Sequence, residues 1–161
     1  MTLVAVIGSG QATPTEEAWA EEVGRRLAEA GAILLCGGRG GVMAAACRGA
    51  RAVGGLTVGI LPGTDPAEAN RWVAVPLATG LGEARNAVIA CAAQAVIAIG
   101  GEWGTLSEIA LARKMGRPVV GLGTWQLARG QEPTEDILRA SSPAEAVELA
   151  LHALPRSPRG G

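Results

Sequence analysis

The 161-residue chain has no phenylalanine, no tyrosine, one histidine and a single lysine, Lys114. Its four tryptophans are the only candidates for stacking on a ligand ring through a large aromatic side chain. The net charge is −1 and no basic run occurs, so the sequence lacks the positive surface that binds the phosphate backbone of DNA or RNA. We therefore expect no nucleic-acid partner.

Long hydrophobic runs and clustered metal ligands are also missing. The first apolar run ends at Gly8 without a charged leader, and no later run approaches the roughly 20 apolar residues of a membrane-spanning helix. We expect a cytoplasmic protein with no membrane partner. Cys36, Cys47 and Cys91 form no Cys-x-x-Cys pair and have no histidine at ligand spacing. This pattern predicts buried, reduced thiols, and we expect neither a metal nor a cofactor.

A hydrophobic content of 48% predicts a well-filled core for a chain of this length, and we expect one domain over residues 1–154 with a frayed tail at 155–161. Short apolar runs alternate with helical patterns, which predicts an α/β, Rossmann-like three-layer fold. Its mostly parallel sheet has six to seven strands, and helices cover both faces. The predicted strands lie near 3–8, 32–36, 56–60, 72–75, 95–99, 118–122 and, with a weaker pattern, 136–140. The predicted helices lie near 13–30, 41–53, 82–93, 104–115 and 142–154.

Glycine-rich loops follow three of the predicted strands, at residues 8–10, 37–41 and 100–104. The carboxyl ends of parallel strands share one edge of a sheet, so the three loops should meet at one crevice. Free amide groups at a helix start attract an anion, and glycines allow its close approach. One glycine pair is often only a tight turn, but three loops together favour a phosphate site. The predicted ligand-binding residues are Gly8, Ser9, Gly10, Gly37, Gly38, Arg39, Gly40, Gly41, Asn86, Gly101, Glu102, Trp103, Gly104 and Thr105.

Two common nucleotide motifs are excluded. The first loop lacks the third glycine of the dinucleotide-binding fingerprint, and the second strand ends in Cys36 and glycines where an acid for the ribose hydroxyls would be needed. No Gly-Lys-Ser/Thr follows any loop, so the chain also lacks a Walker motif. A mononucleotide or sugar-phosphate pocket remains, and a small phosphorylated ligand such as a nucleoside monophosphate is the expected partner.

Two arginines near these loops have more than one interpretation. Arg39 lies inside the second loop, where it either pins a phosphate or is solvated. Arg85 and Asn86 lie in the first turn of the helix predicted at 82–93, where a cation is unfavourable. Either neighbouring Glu83 or a bound phosphate should compensate the positive charge of Arg85. The small residues of that helix suit packing on the sheet or against a symmetry-related copy.

Glu108 and Trp103 also remain ambiguous from their residues alone. Thr105 and Glu108 match a capping box, in which Thr105 is the N-cap and Glu108 bonds back to its amide. The alternative is that Glu108 takes part in chemistry. Trp103 either stacks on a base, fills a subunit contact or packs in the core.

Three segments together resemble the LOG family of cytokinin riboside 5′-monophosphate phosphoribohydrolases, once misannotated as lysine decarboxylases. They are Gly59-Ile60-Leu61-Pro62-Gly63, Gly82-Glu83-Ala84-Arg85-Asn86 and the run from Ala95 to Glu108. The loop ending in Val42-Met43 resembles the family's other glycine-rich segment. Rossmann-like relatives of that family include the molybdenum-cofactor carrier proteins, and the resemblance extends to about Trp125.

The resemblance implies a hydrolase that cleaves the N-glycosidic bond of a purine nucleoside 5′-monophosphate, with Arg85 and Glu108 as the catalytic pair. It also implies a homodimer or homotetramer. Asn86 replaces a family lysine, Gly100 a proline and Glu102 a glycine, and the Glu102 carboxylate would repel a phosphate. These departures are closer to the carrier-like branch, so a non-catalytic carrier or sensor of a phosphorylated ligand such as molybdenum cofactor is the alternative.

Overall fold

The computed structural model describes residues 1–155, and its centre is one parallel sheet of seven strands. In chain order its strands are β1 (Leu3–Gly8), β2 (Ile33–Cys36), β3 (Thr57–Leu61), β4 (Val75–Ala78), β5 (Ala95–Ile99), β6 (Val119–Leu122) and β9 (Leu138–Arg139). Two short strands, β7 (Ala128–Arg129) and β8 (Glu132–Pro133), form a separate antiparallel hairpin. The helices are α1 (Pro14–Glu29), α2 (Val42–Ala52), α3 (Arg85–Ala92), α4 (Trp103–Lys114) and α5 (Pro143–His152).

Helices cover both faces of the sheet, so the fold is the three-layer, Rossmann-like arrangement that the sequence predicts. Helices α1, α2 and α5 pack on one face, together with inward residues such as Val4 and Val6. Helices α3 and α4 pack on the other, where the alternate residues Ala5 and Ile7 point. All residues of β5 and β6 are buried, which explains why these segments are continuous apolar runs in the sequence.

The strand order is β4-β3-β2-β1-β5-β6-β9, so the chain winds outward from β1 and then returns to the other side of it. The point of reversal lies between β1 and β5, whose residues pair from Val4 with Ala95 to Gly8 with Ile99. Ligands of open parallel sheets bind outside the carboxyl ends of the strands at such a point. The loops after β1, β2 and β5 all leave the sheet at this edge.

Several predicted boundaries differ from the structure. The fourth strand is three residues later than predicted, because residues 70–74 form a turn held by the Thr57 hydroxyl, which donates to the Trp72 carbonyl at 2.6 Å. A 3-10 turn at Gly82–Ala84 precedes α3, and the last strand has only two residues. The predicted frayed tail spans 155–161, and residues 156–161 of it lie outside the described part of the chain.

The prediction of three buried thiols is correct for two of them. Cys36 and Cys47 are buried with their sulfur atoms 3.5 Å apart, whereas Cys91 is exposed near the end of α3. Helix α3 buries Ile89 and Ala90 against the sheet face that α3 and α4 cover. Cys91 lies on the outward side of the helix. No helix among residues 1–155 combines the length and the apolar character needed to cross a membrane.

Candidate phosphate-binding site

A cavity of about 460 Å³ opens at the reversal point between β1 and β5. Ten of the predicted site residues line it, from all three loops and from α3 and α4. They are Gly8, Ser9, Gly10, Gly37, Arg85, Asn86, Glu102, Gly104, Thr105 and Glu108. The structure therefore brings the two predicted catalytic residues and most of the predicted ligand-binding residues to one place.

The first two glycine loops pack directly on each other at the cavity. The amide of Val42 donates to the carbonyl of Ser9 at 3.0 Å, and this contact joins the loop after β1 to the start of α2. Gly41 has a φ of 61°, and a Cβ atom there would lie 2.2 Å from the Ser9 oxygen. Only glycine permits this approach, so the second loop supports the cavity wall although Gly41 itself does not line the cavity.

The first turn of α4 provides amide groups without acceptors. Helix α4 begins at Trp103, and its N-cap Glu102 makes no side-chain cap hydrogen bond. Among residues 1–155, the amides of residues 103–105 have no hydrogen-bond acceptor, and Gly104 and Thr105 line the cavity. A helix start with free amides at the wall of a cavity is the arrangement that binds phosphate and carboxylate groups.

Thr105 is not the N-cap, so the capping-box interpretation of Thr105 and Glu108 is wrong. The N-cap is Glu102, three residues earlier, because Gly100 and Gly101, with φ values of 53° and 97°, turn the chain sharply after β5. Thr105 is only 3% exposed, and its hydroxyl has no partner in the described part of the chain. The hydroxyl of a threonine that lines a cavity is suited to a hydrogen bond with a ligand.

Arg85 is held by the backbone of the sheet edge rather than by an acidic neighbour. Its Nη1 atom donates to the carbonyls of Gly37 and Ile60, both at 2.6 Å, and its Nε donates to Asn86 Oδ1 at 2.9 Å. Within residues 1–155 it forms no ion pair with Glu83. Burial lowers the pKa of the Arg85 guanidinium, and the nearby Glu108 carboxyl opposes this effect. Arg85 thus links the ends of β2 and β3 to α3.

Glu108 lies one helical turn after Gly104 and carries a carboxyl group with no hydrogen-bond partner among the described residues. Burial raises its pKa to about 7, against the influence of the Arg85 charge, which lowers it. Near neutral pH the carboxyl is therefore divided between its charged and uncharged forms. This is an unusual state for a glutamate, and it follows from the desolvated position rather than from a neighbouring acid.

Some predicted site residues lie outside the cavity. Arg39 is exposed, and its closest acidic group is Glu68 at 3.8 Å, so the solvated interpretation of Arg39 fits the structure. Trp103 is 72% exposed, with its ring centroid 4.9 Å from that of Trp125, so core packing is wrong for this side chain. Gly38, Gly40 and Gly101 support the loops without lining the cavity.

The sequence interpretation missed five lining residues, namely Ile7, Met43, Pro62, Gly82 and Glu83. Four of these lie inside or beside segments that carry the family resemblance, at Val42-Met43, Leu61-Pro62-Gly63 and Gly82-Glu83. Their positions before or at the start of helices could have marked them. Ile7 gives no such signal because it resembles any other buried strand residue.

Comparison with known proteins gives the same fold. The molybdenum cofactor binding protein of the phototrophic bacterium Rippkaea orientalis superposes with a TM-score of 0.85 at 36% identity, over 94% of this chain and 96% of that one. The molybdenum cofactor carrier protein of Chlamydomonas reinhardtii gives 0.82 at 33% identity, over 94% and 98%.

A protein of Archaeoglobus fulgidus described as uncharacterised is 38% identical over 148 residues, which are 92% of this chain and 93% of that protein. The model of the SLOG cluster4 family matches residues 1–147. The match spans the sheet, the three glycine loops and the cavity. The chain therefore belongs to the SLOG cluster4 family.

Proposed function

We propose that this protein binds a phosphorylated pterin-type small molecule, of which molybdenum cofactor is the example, and holds it without chemical conversion. The observation that carries the proposal is the unpaired donor set at the start of α4, where free amides and the hydroxyl of the buried Thr105 face a cavity. Two similar structures are described as a molybdenum cofactor binding protein and a molybdenum cofactor carrier protein.

The cavity suits a ligand with an anionic end and a flat polar ring. Its volume of about 460 Å³ lies within the ordinary range for small-molecule sites. The phosphate would lie against the amides of α4, and the remaining space is bounded by Met43, Pro62, Glu83 and Asn86. Apolar groups and hydrogen-bonding side chains therefore both lie within reach of a pterin ring.

A second candidate is the LOG-like phosphoribohydrolase, which releases the base from a nucleoside 5′-monophosphate. Arg85 and Glu108 favour it because both line the cavity. An ionised carboxylate stabilises a cationic, oxocarbenium-like transition state, and with its pKa raised to about 7 by burial the Glu108 carboxyl is only partly ionised at neutral pH. The Nη1 group of Arg85 donates to two backbone carbonyls, so it is not free to bind a substrate. These features favour binding over catalysis.

Anaerobic gel filtration tests the binding proposal. The protein is mixed with molybdenum cofactor released from a molybdoenzyme, and co-eluting pterin is measured by fluorescence after oxidation. We expect retention by the wild type and roughly three- to tenfold weaker binding by Thr105→Val, which keeps the shape of the side chain but loses its donor. Thr134→Val, at a hydroxyl outside the cavity, is the control.

The same preparation separates the two candidates. Wild-type protein and Glu108→Gln are incubated with AMP and with cytokinin monophosphates, and free base is measured by chromatography. Binding of the pterin without release of base supports the carrier function. Release of base by the wild type, lost in a folded Glu108→Gln variant, would instead establish the hydrolase.

A further inference from the structure

The loop that follows β5 is held from outside the cavity by two consecutive residues after β6. The Thr124 hydroxyl donates to the carbonyl of Gly100 at 2.5 Å, and the indole Nε1 of Trp125 donates to the carbonyl of Glu102 at 3.1 Å. We refer to Thr124 and Trp125 as the loop clasp. Neither residue lines the main cavity, so no contact with the proposed ligand explains these bonds.

The loop has few other constraints of its own. Gly100 and Gly101 both have positive φ, which glycine adopts more easily than other residues. Glycine is also the most flexible residue of the backbone, so this loop needs other contacts to hold it in place. The Gly100 amide donates to the Leu122 carbonyl at 3.1 Å, and in the described part of the chain the next backbone–backbone hydrogen bond is the one from the Leu106 amide to the Glu102 carbonyl at 3.0 Å. Within residues 1–155, the Thr124 hydroxyl is the only hydrogen-bond partner of the Gly100 carbonyl, and Trp125 shares the Glu102 carbonyl with Leu106.

Fixing a carbonyl also fixes the amide of the same peptide unit. The peptide group is planar and trans, so its C=O and N–H point in opposite directions. The bond from Thr124 therefore sets the direction of the Gly101 amide, and the bond from Trp125 sets that of the Trp103 amide at the start of α4. The Trp103 amide is one of the three free amides at the start of α4, and the Gly101 amide lies in the loop that leads into them.

We propose that the loop clasp positions the phosphate-binding amides, with Thr124 and Trp125 as positioning residues that act through the Gly100 and Glu102 carbonyls. The inference rests on the proposed binding function for its ligand, although the ordering of the loop can be measured without one. Trp125 also contacts Trp103, which adds an apolar contact beside the same helix start. The clasp would preorganise the donors and so lower the entropy lost on binding.

The test compares Thr124→Val, which is isosteric but has no donor, with Thr124→Ser, which keeps the hydroxyl. Order parameters from ¹⁵N relaxation are measured for residues 100–105 of the free protein, and affinity for released molybdenum cofactor is measured anaerobically. We expect lower order parameters at 101–103 in Thr124→Val and about three- to tenfold weaker binding, with both restored in Thr124→Ser. Thermal unfolding should be similar in the two variants.

The outcomes separate this inference from the function on which it rests. If the wild type fails to bind the cofactor, the proposed function is wrong, and the order parameters still decide whether the clasp orders the loop. If Thr124→Val leaves the order parameters unchanged, or binds as the wild type does, the clasp proposal is overturned. Equal losses in Thr124→Val and Thr124→Ser overturn it too, because the hydroxyl would not be the cause.

Discussion

At Glu108, one half-buried carboxyl connects the chemistry of the cavity with the stability of the fold. The residue has no hydrogen-bond partner among residues 1–155, and the Arg85 charge offsets its desolvation only in part, because the pKa still rises to about 7. Its neighbour Arg85 directs Nη1 to two backbone carbonyls. At neutral pH the Glu108 carboxyl is therefore only partly ionised, and the Arg85 guanidinium is bonded to the backbone rather than to that carboxyl.

The raised pKa of Glu108 predicts a pH-dependent stability. The folded state retains the proton up to about pH 7, whereas the unfolded carboxyl releases it near its ordinary pKa of 4.5. Folding therefore binds a proton in this window, and the free energy of unfolding should fall as the pH rises from about 4.5 to 7. Glu108→Gln should lack this fall, so the difference between the two proteins should change by roughly 2 to 3 kcal/mol across the window.

Urea unfolding of both proteins between pH 4.5 and 8 measures this difference. Glu148→Gln, at an exposed position of α5, is the matched control and should follow the wild type throughout. Parallel stability curves for the wild type and Glu108→Gln would show that Glu108 titrates normally in the folded protein.

At the scale of the element, helix starts differ in how far the local sequence decides them. Thr13 forms a complete capping box at the start of α1, since its hydroxyl accepts from the Glu16 amide at 3.2 Å and the Glu16 carboxylate accepts from the Thr13 amide at 3.1 Å. Ser142 caps α5, but the Glu145 carboxylate bonds to Ser141 instead of Ser142. The first cap is therefore complete and the second is only half of the motif.

The capping box of α1 predicts a measurable loss of stability. Thr13→Ala removes the acceptor for the Glu16 amide and should lower the free energy of unfolding by about 1 kcal/mol. Chemical denaturation at neutral pH measures the change. Thr15→Ala, at an exposed position inside the first turn, replaces a threonine without removing a cap. It should be neutral or slightly stabilising, and equal losses in both variants would contradict the capping role.

The start of α4 shows why the same pattern fails elsewhere. Thr105-Leu106-Ser107-Glu108 has the spacing of a capping box, but the helix begins at Trp103 because the Glu102 carbonyl already accepts from Leu106. Trp125, more than 20 residues away in sequence, donates to the same carbonyl. The shift of β4 has a similar long-range cause, in Thr57. Local sequence thus predicts the number and order of the main strands and helices, while distant contacts decide individual ends.

At the scale of the molecule, the sequence predicts the cavity because its position depends on strand order rather than on side-chain detail. Alternating strands and helices specify a parallel sheet, and the three glycine loops mark its ligand edge. The orientation of Arg85 toward carbonyls and the exposure of Trp103 depend on tertiary contacts. Those details need the structure.

Packing between α1 and α2 connects the outer layer with the cavity. A Cβ atom on Gly49 would lie 1.9 Å from the Glu21 carbonyl, and one on Gly24 would lie 1.9 Å from the Ala46 carbonyl. The two helices therefore touch backbone to backbone. Helix α2 begins beside Gly41, whose loop packs on Ser9 at the cavity wall, so a displacement of α2 would reach the site.

Gly49→Ala should force the two helices apart. Alanine favours helix by about 1 kcal/mol over glycine, yet the clash should outweigh this gain and destabilise the protein by about 1 to 3 kcal/mol. Chemical denaturation gives the stability, and binding of released molybdenum cofactor should weaken in the same variant. Ala52→Gly, at the exposed end of α2, is the control for helix propensity, because it exchanges the same two residue types without a contact between helices. It should leave cofactor binding unchanged. A more stable Gly49→Ala variant would mean that α1 and α2 are not in backbone contact, and the support that this packing gives to the cavity would then have to come from elsewhere.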